Sequence, residues 1–210
     1  MATLQAQVED LVGTIYSADT NALTQWLTDG VLDVTNRSIL ANPREVEKFI
    51  RESGQQATNG FDISGSIVVS VLREDGTEGQ FRDCRKILPN QRFQVVDENS
   101  IHLATSHNPV YMLANDGKIS VFPEPAATTE NYIVYYVNNI PEHTASATAG
   151  SQPLDLDQSA IAYFPDNKVY LVVIYAAIQA LQRAMGDKTV PSLTVAVVPP
   201  TAPTIPDYDV

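Results

Sequence analysis

The longest apolar pattern of the chain runs through residues 165–186, whose sequence is PDNKVYLVVIYAAIQALQRAMG. Apolar side chains recur there with the period of an α-helix, and they occupy two adjoining faces. One face carries Val169, Val172, Val173, Ala176, Ala177, Ala180 and Ala184, and the other carries Leu171, Ile174, Tyr175, Ile178, Leu181 and Met185. The pattern therefore predicts a core helix that the rest of the protein surrounds.

The ends of this stretch also fit a helix. Pro165 suits a first helical position, where no backbone N–H partner is needed, and Gly186 suits the end. The unbroken apolar run, residues 169–178, is about half of the roughly 20 residues that a membrane-spanning helix needs. The pattern thus favours a core helix, and we expect a polar residue at Ile174 or Ile178 to destabilise the fold by about 2–4 kcal/mol.

Three further helical patterns occupy the first 58 residues. The first is the stripe Leu4, Val8, Leu11, Val12 and Ile15, and the second comprises Leu23, Trp26, Leu27, Val31 and Val34. The third has the sharpest start, because Asn42 fits an N-cap, Pro43 fits the first helical position and Glu45 can reach back as in a capping box. This third helix is predicted to end near Gly54, so the first quarter of the chain is predicted to be helical.

A β-rich region follows between residues 61 and 140. β-branched and aromatic residues are interrupted there by Gly, Pro, Asn and Asp, as in SIVVSVLREDG, RFQVV, VYMLANDGKISVF and NYIVYYVNNI. These runs predict strands. The sequences EDGT at 74–77 and NDG at 115–117 predict hairpin turns, because Asn, Asp and Gly accept positive φ angles. We expect a small antiparallel sheet or sandwich.

Two segments with little helical or strand pattern complete the chain. The sequence EHTASATAGSQP predicts a long exposed loop, since small polar residues bury too little area to offset chain entropy. The end, SLTVAVVPPTAPTIPDYDV, predicts an extended arm like polyproline, because its prolines are incompatible with a helix or a central strand. We interpret the arm as a partner-binding segment whose contacts come from Pro199, Pro200, Pro203, Ile205, Pro206 and Tyr208.

The order of these elements predicts an α+β fold. Helices stand at both ends and strands in the middle, so the simplest assembly is a helical bundle formed by the N-terminal helices and one long late helix, with an inserted antiparallel β region and an extended C-terminal arm. The predicted units are the N-terminal helices (1–58), the β-rich insertion (59–145), the loop and long helix that complete the bundle (146–190), and the arm (191–210).

Composition narrows the range of partners. Thirteen Lys and Arg against 25 Asp and Glu give a formal charge of −12, which argues against a protein that grips nucleic acid by neutralising phosphates. The single cysteine, Cys84, excludes an internal disulfide and is typical of a protein made in a reducing cytoplasm. The first residues, MATLQAQVEDLVG, show no positive segment followed by an apolar block, so we predict no secretory signal.

Residues with catalytic potential do not form a recognisable motif. His102, His107 and His143 lie in different predicted elements, and none has a Ser or Cys partner in a known arrangement. Asp155 and Asp157 could chelate a hard cation, but their neighbours supply few further oxygens, so a loop or helix cap is favoured. No phosphate-binding glycine motif is present. We therefore predict no catalytic residue, no cofactor and no metal, and a protein that is not an enzyme.

One basic segment stands out in this acidic chain. It comprises Arg73, Arg82, Arg85, Lys86 and Arg92. It is either a solvated sheet face or a subunit-contact patch that docks an acidic surface, and complementary charge would then set orientation and encounter rate. A second copy of the chain offers acidic groups of its own, namely Asp97, Glu98, Asp155, Asp157, Asp207 and Asp209.

Several stretches resemble structural proteins of tailed bacteriophages. They are ATLQAQVEDLVG, DTNALTQWLTDGVLDVTNR, FPDNKVYLVVIYAAIQALQRAMGD and the Pro-rich end. The order of elements is similar to that of the head–tail adaptor, or connector, proteins of the phage neck, although the β region is larger than a minimal four-helix adaptor requires. In that family a helical bundle forms the body, loops or strands decorate it, and a C-terminal extension reaches toward the portal.

The resemblance implies a structural virion protein, made in the host cytoplasm and located in the neck or tail. It implies a homo-oligomeric ring of about twelve copies that binds the portal protein and tail or neck proteins. DNA would pass through the ring without specific binding, and no membrane would be involved.

Two other interpretations remain open. A tail or baseplate structural protein is favoured if the β region is the main body. A cellular ligand-binding domain or enzyme would require a cluster of polar groups in a concave pocket.

Overall fold

The computed structural model describes residues 2–13, 20–63, 65–114, 116–126, 128–137, 140–145 and 152–187, and the predicted arm therefore lies outside the described residues. The fold is mixed α+β, as predicted. The helices are α1 (Leu4–Val12), α2 (Thr20–Ala41), α3 (Arg92–Val96) and α4 (Val169–Asp187). The strands are β1 (Ile50–Glu52), β2 (Phe61–Asp62), β3 (Ile67–Glu74), β4 (Phe81–Asp83), β5 (Arg85–Lys86), β6 (Val110–Leu113), β7 (Lys118–Phe122) and β8 (Tyr132–Val137).

The helices α1, α2 and α4 pack together around one apolar cluster. Helix α4 contributes the face that holds Val169, Val172, Val173, Ala176, Ala177 and Ala180, all of which are buried. The expectation that α4 is surrounded is wrong. On its second apolar face Ile174, Ile178, Leu181 and Met185 are exposed and Leu171 and Tyr175 are partly buried, because α1 and α2 cover only one side of the helix.

Close packing between α2 and α4 depends on Gly30. A Cβ atom at this position would lie 3.1 Å from Cδ1 of Tyr175 and 3.3 Å from Cγ1 of Val172. Such distances are shorter than ordinary van der Waals contact, so a side chain here would push the two helices apart. Glycine disfavours a helix interior by about 1 kcal/mol relative to alanine, but at position 30 the packing against α4 requires it.

The third predicted helix is a 3₁₀ helix, Pro43–Phe49. Its predicted N-cap is confirmed, since Oδ1 of Asn42 accepts a hydrogen bond from the Arg44 N–H at 3.3 Å. The helix ends at Phe49 rather than near Gly54, because the next residues form β1 and pair with β8. Phe49 is buried and meets Phe164 edge-to-face at 5.6 Å between ring centroids.

Glu45 does not complete a capping box. Its carboxylate forms an ion pair with Lys168, just before α4, and that ammonium group also donates a hydrogen bond to Oγ of Ser38 at 2.9 Å. Lys168 lies over the Phe49 ring as well, at 5.6 Å from the centroid. These contacts fix the start of α4 against the end of α2.

The strands form two four-stranded sheets with the orders β1-β8-β3-β4 and β2-β7-β6-β5. Both predicted hairpins are confirmed, β3–β4 and β6–β7, and their turns contain Gly76 and Gly117 with φ angles of 103° and 78°. A shared apolar cluster joins Val71 and Val134 of the first sheet to Ile119 of the second. The two sheets therefore enclose a common core, as in a sandwich.

Two features of the β region differ from the prediction. Strands β5 and β6 are parallel, so the region is not wholly antiparallel. The sequence RFQVV, predicted as a strand, contains the short helix α3. Val95 of α3 is buried against the second sheet in a cluster with Val110 and Phe122. Residues 87–104 thus cover the outer face of that sheet, and we call this cover the lobe.

Half of the predicted loop EHTASATAGSQP, residues 146–151, lies outside the described residues, and of the rest Thr144, Ala145, Gln152 and Pro153 are exposed. The connection that follows this loop, before α4, is packed into the protein. Its apolar residues Leu154, Leu156, Ile161 and Phe164 belong to the helical core. Glu142 is also buried and forms an ion pair with Arg51 of β1. The described parts of this segment, residues 140–145 and 152–165, therefore join the helices to the first sheet.

We expect Gly30→Leu to lower the free energy of unfolding by about 1–3 kcal/mol, because the new side chain meets α4. Gly186→Ala is the matched control, since a Cβ there meets no atom within 4 Å and alanine should raise the free energy of unfolding by about 0.5 kcal/mol through helix propensity. Urea unfolding measures both. Stabilisation by both substitutions would show that α2 and α4 are not in close contact.

The Glu45 carboxyl should contribute to acid unfolding. Its hydrogen bond to Lys168 and the charge of that residue lower its pKa below the ordinary value. A carboxyl with a depressed folded-state pKa stabilises the protein above its unfolded-state pKa, about 4.3, and this contribution disappears as the pH falls through the folded-state pKa.

We therefore expect Glu45→Gln to lose less free energy of unfolding than the wild type between about pH 7 and about pH 3, as measured by urea unfolding. Glu47→Gln, on an exposed side chain of the same 3₁₀ helix, controls for the removal of one carboxylate and should lose as much as the wild type. An equal loss in all three proteins would contradict the role of the Lys168 pair.

Candidate interaction surfaces

The histidines and acidic residues singled out in the sequence do not meet in the structure. His102 and His107 are exposed, and Nδ1 of His143 contacts the Pro153 carbonyl at 2.8 Å. Asp155 accepts a hydrogen bond from the Asp157 N–H at 3.3 Å, which is a turn within the loop. Within the described ranges, no group of three or more His, Cys, Asp or Glu side chains is placed to hold a metal ion.

Cys84 lies in the core between the two sheets and is 4% exposed. Burial, with a smaller effect of the Asp83 charge, raises the pKa of its thiol to about 12. The thiol therefore stays protonated at neutral pH and is not a nucleophile there.

Buried charged groups serve the fold. Arg51 is fully buried with Glu142, and its guanidinium lies 5.1 Å from the centroid of the Tyr163 ring. Arg73 is 1% exposed and donates hydrogen bonds to the carbonyls of Pro123 and Glu74 at 2.9 and 2.7 Å. Arg73 therefore takes no part in a surface patch.

The exposed part of the predicted basic segment consists of Arg82, Arg85, Lys86 and Arg92. Arg82 pairs with Asp75 at 3.1 Å. For Arg85, Lys86 and Arg92, the described part of the chain supplies no ion-pair partner within 4 Å. These three cations lie on β5 and at the start of α3, where an acidic partner can reach them.

The first candidate surface is the exposed face of α4. Its large apolar side chains Tyr170, Ile174, Ile178, Leu181 and Met185 are 43–76% exposed. Leu171, Ile174, Ile178, Leu181 and Met185 follow the alternating spacing of three and four residues that defines the a and d positions of a coiled coil. We call these five residues the α4 seam. Its spacing matches the groove of another helix, and it extends for about 21 Å along α4.

By length and composition, the helical segment Asp166–Gly186 could also cross a membrane. A single helix of this kind is weak evidence, because the core helix of a soluble protein passes the same test. One side of α4 is in contact with α1 and α2.

The second candidate surface is a groove on the lobe, with a volume of about 440 Å³. Its walls include Phe93, Val96, Leu103, Phe122 and Pro123, and Arg92 and Glu124 stand at its polar positions. Phe93 is 82% exposed and Val96 is 53% exposed. The guanidinium of Arg92 lies 5.9 Å from the Phe122 ring centroid. The groove can therefore accept an apolar segment, with Arg92 available to a negative charge on one side and Glu124 opposing it on the other.

Comparison of the sequence with known proteins assigns this chain to no family. No protein-family model matches the sequence, and a search of curated proteins finds no match.

The two surfaces differ in how far the sequence alone predicts them. The apolar residues of the α4 seam are evident from the helical pattern of the sequence, but that pattern predicts that they are buried in the core. The groove is missed because it depends on RFQVV forming a helix rather than a strand.

We expect the two faces of α4 to respond differently to the same substitution. Val172→Asn places an amide in the core, since Val172 is fully buried, and should lower the free energy of unfolding by about 2–4 kcal/mol. Ile178→Asn alters an exposed side chain and should change it by less than about 1 kcal/mol. Urea unfolding of dilute protein tests this. Equal losses would mean that the folded single chain buries both faces, as the sequence pattern predicts.

Proposed function

We propose that this chain is a structural virion protein of a tailed phage, a head–tail adaptor that forms a ring between portal and tail. The observation that carries the proposal is the α4 seam, a helical face with coiled-coil spacing whose residues Ile174, Ile178, Leu181 and Met185 are exposed, while Leu171 packs partly on the helical core. Monomeric soluble proteins rarely leave large contiguous apolar patches exposed, and such patches mark interaction sites. The identity of the assembly rests on the resemblance to phage connectors.

A second copy of the chain is the occupant that best fits the α4 seam. Residues 169–182 carry no charged side chain, and Arg183 is the one charge within the span of the seam, 171–185, so a helix of a second copy can pack along most of the seam without facing a charge. The coiled-coil spacing calls for a helix as partner. A stable protein–protein interface buries about 1,200 Å² or more. A contact between two helices that is only about 21 Å long buries less surface than that. Each copy therefore needs further contacts, as neighbours in a ring have.

A ring requires that one face of a subunit binds a different face of the next. In a ring the α4 seam would therefore pack against a different helical face of the neighbouring copy, and not against the seam of that copy. The cations Arg85, Lys86 and Arg92 add a charged contact for acidic neighbours. Helices α1, α2 and α4 correspond in this proposal to the bundle of an adaptor, and the sheets to its inserted region.

The net charge suits a DNA conduit. A chain with a formal charge of −12 repels phosphates, so duplex DNA would not stick to a channel built from it. Specific DNA binding is not part of the proposed function, and neither is a catalytic step, a cofactor or a membrane. The protein would be made in the host cytoplasm and incorporated into the virion neck or tail.

A tail or baseplate structural protein is the second candidate. It is supported by the size of the β region, whose two sheets and lobe hold apolar clusters distinct from that of the helices. Such a protein would self-assemble as well, but it would meet the portal only through other components.

The test of function is to mix the purified protein with the portal protein encoded in the same genome. We expect a stoichiometric complex several times heavier than the 22.9 kDa chain, measured by light scattering. Self-association with no portal complex would contradict the adaptor and favour the tail candidate.

The α4 seam can be tested in the same experiment. Leu181→Glu puts a charge into the seam and should abolish self-association, because burying an unpaired carboxylate is unfavourable. Gln182→Glu adds the same charge beside the seam, at an exposed residue, and should assemble as the wild type does. Assembly of Leu181→Glu would show that the seam is not the contact. Binding of the monomeric wild type to neutral lipid vesicles would assign the face to a membrane instead.

A further inference from the structure

We infer that the lobe groove of one copy binds the proline-rich part of the arm, residues 199–208, of another copy. The inference depends on the proposed function in one respect, namely that copies of the chain assemble with one another. The resemblance directs the arm toward the portal, whereas the chemistry of the groove offers the arm a receptor on the chain itself. Three features carry the pairing: the period of the arm, the lining of the groove and the charges of both.

The arm has the pattern of an amphipathic polyproline helix. That helix has three residues per turn, so residues three apart share a face. One face would carry Pro199, Ala202, Ile205 and Tyr208, the next Pro200, Pro203 and Pro206, and the last Thr201, Thr204 and Asp207. Two of the three faces are apolar and one is polar. This pattern predicts that the arm lies in a groove with one side toward water.

The groove has the lining that such helices require. Proline-rich segments dock in grooves lined by aromatic residues, and they lose little chain entropy because the polyproline conformation is preformed. Phe93 supplies an exposed aromatic ring here, Phe122 forms part of the buried floor at 3% exposure, and Pro123 and Val96 extend the apolar surface. The strongly exposed Phe93 would lose its contact with water on docking.

Charge favours the same occupant. The end of the arm carries Asp207 and Asp209, and the lobe carries Arg92 at the groove, with Arg85 and Lys86 on β5. These three cations have no ion-pair partner among the described residues. Glu124 also lines the groove, so the acidic end of the arm is expected at the Arg92 side.

The reach of the chain allows docking on a neighbour. Eleven residues, 188–198, separate the end of α4 from the proline-rich part of the arm, 199–208, and in polyproline form they span about 34 Å. Within one copy, α4 belongs to the helical core and the lobe covers the outer face of the second sheet. Helix α4 and the lobe therefore belong to separate apolar clusters, and the proposed assembly brings the groove of another copy within reach of the arm.

Cysteine cross-linking between full-length chains tests the pairing. One variant carries Val96→Cys in the groove, and the other carries Ala202→Cys in the arm together with a tag that changes its mass. Both substitutions are small, and the native Cys84 is buried. After mixing and mild oxidation, we expect a disulfide-linked heterodimer on a non-reducing gel.

The matched control replaces the groove cysteine by Leu40→Cys, on a residue of α2 that is 85% exposed. We expect the groove pair to give about tenfold more heterodimer than the control pair, because docking raises the effective concentration of the two thiols. Equal yields would overturn the inference. A chain carrying both Val96→Cys and Ala202→Cys that closes an internal disulfide, with no intermolecular product, would overturn docking between copies.

A charge reversal tests the role of Arg92. Arg92→Glu in the groove variant should lower the heterodimer yield by about threefold, the size of effect typical of an exposed ion pair. Asp207→Arg with Asp209→Arg in the arm variant should restore the yield. A yield that does not respond to either change would overturn the charge pairing.

The outcomes separate this inference from the proposed function. Strong cross-linking without a portal complex would contradict the adaptor and leave the pairing of arm and groove intact. A portal complex with control-level cross-linking would overturn the pairing and leave the adaptor.

Discussion

The structure depends on the contact between one face of α4 and the helices α1 and α2. The buried side chains of α4 are valines and alanines, and α2 presents Gly30 at its closest approach. Small residues allow the helix axes to come close together, so a narrow face is enough to build the core. The larger apolar residues of α4 are placed on the opposite side. The same contact that completes the helical core therefore leaves the α4 seam exposed.

The helices are joined to the sheets by a few specific contacts. The Arg51–Glu142 pair is fully buried, and Phe49 meets Phe164 where the 3₁₀ helix runs into β1. Removing one member of a buried ion pair is strongly destabilising, because the other charge is left without compensation. This junction sets the orientation of the strand β1, which pairs with β8 at the edge of the first sheet.

The sequence predicts those parts of the fold that are determined locally. Asn42 and Pro43 mark a helix start, and Gly76 and Gly117 mark hairpin turns, because each depends on a few neighbouring residues. It fails where distant contacts decide. RFQVV has strand propensity, but it becomes α3 because Val95 is buried against the second sheet. Ile174 and Val173 look alike in the pattern, and only the positions of α1 and α2 determine which is buried.

For the candidate surfaces too, the sequence predicts which residues are present but not how distant contacts expose or bury them. The five residues of the α4 seam can be selected from the sequence, but their exposure cannot, so sequence reasoning places them in the core. The basic segment is visible as a cluster of charge, yet burial of Arg73 and the Arg82–Asp75 pair reduce it to three available cations. The groove requires the lobe, and the sequence pattern predicts a strand where the lobe has the helix α3. The candidate surfaces therefore arise only when the elements pack.

The most direct test of the central claim, that another copy covers the α4 seam, is the light-scattering mass of the wild-type protein over a dilution series. The account predicts a mass that is a multiple of 22.9 kDa at high concentration and that falls toward this value on dilution. A mass of one chain at every concentration, with the portal protein absent or present, would contradict it.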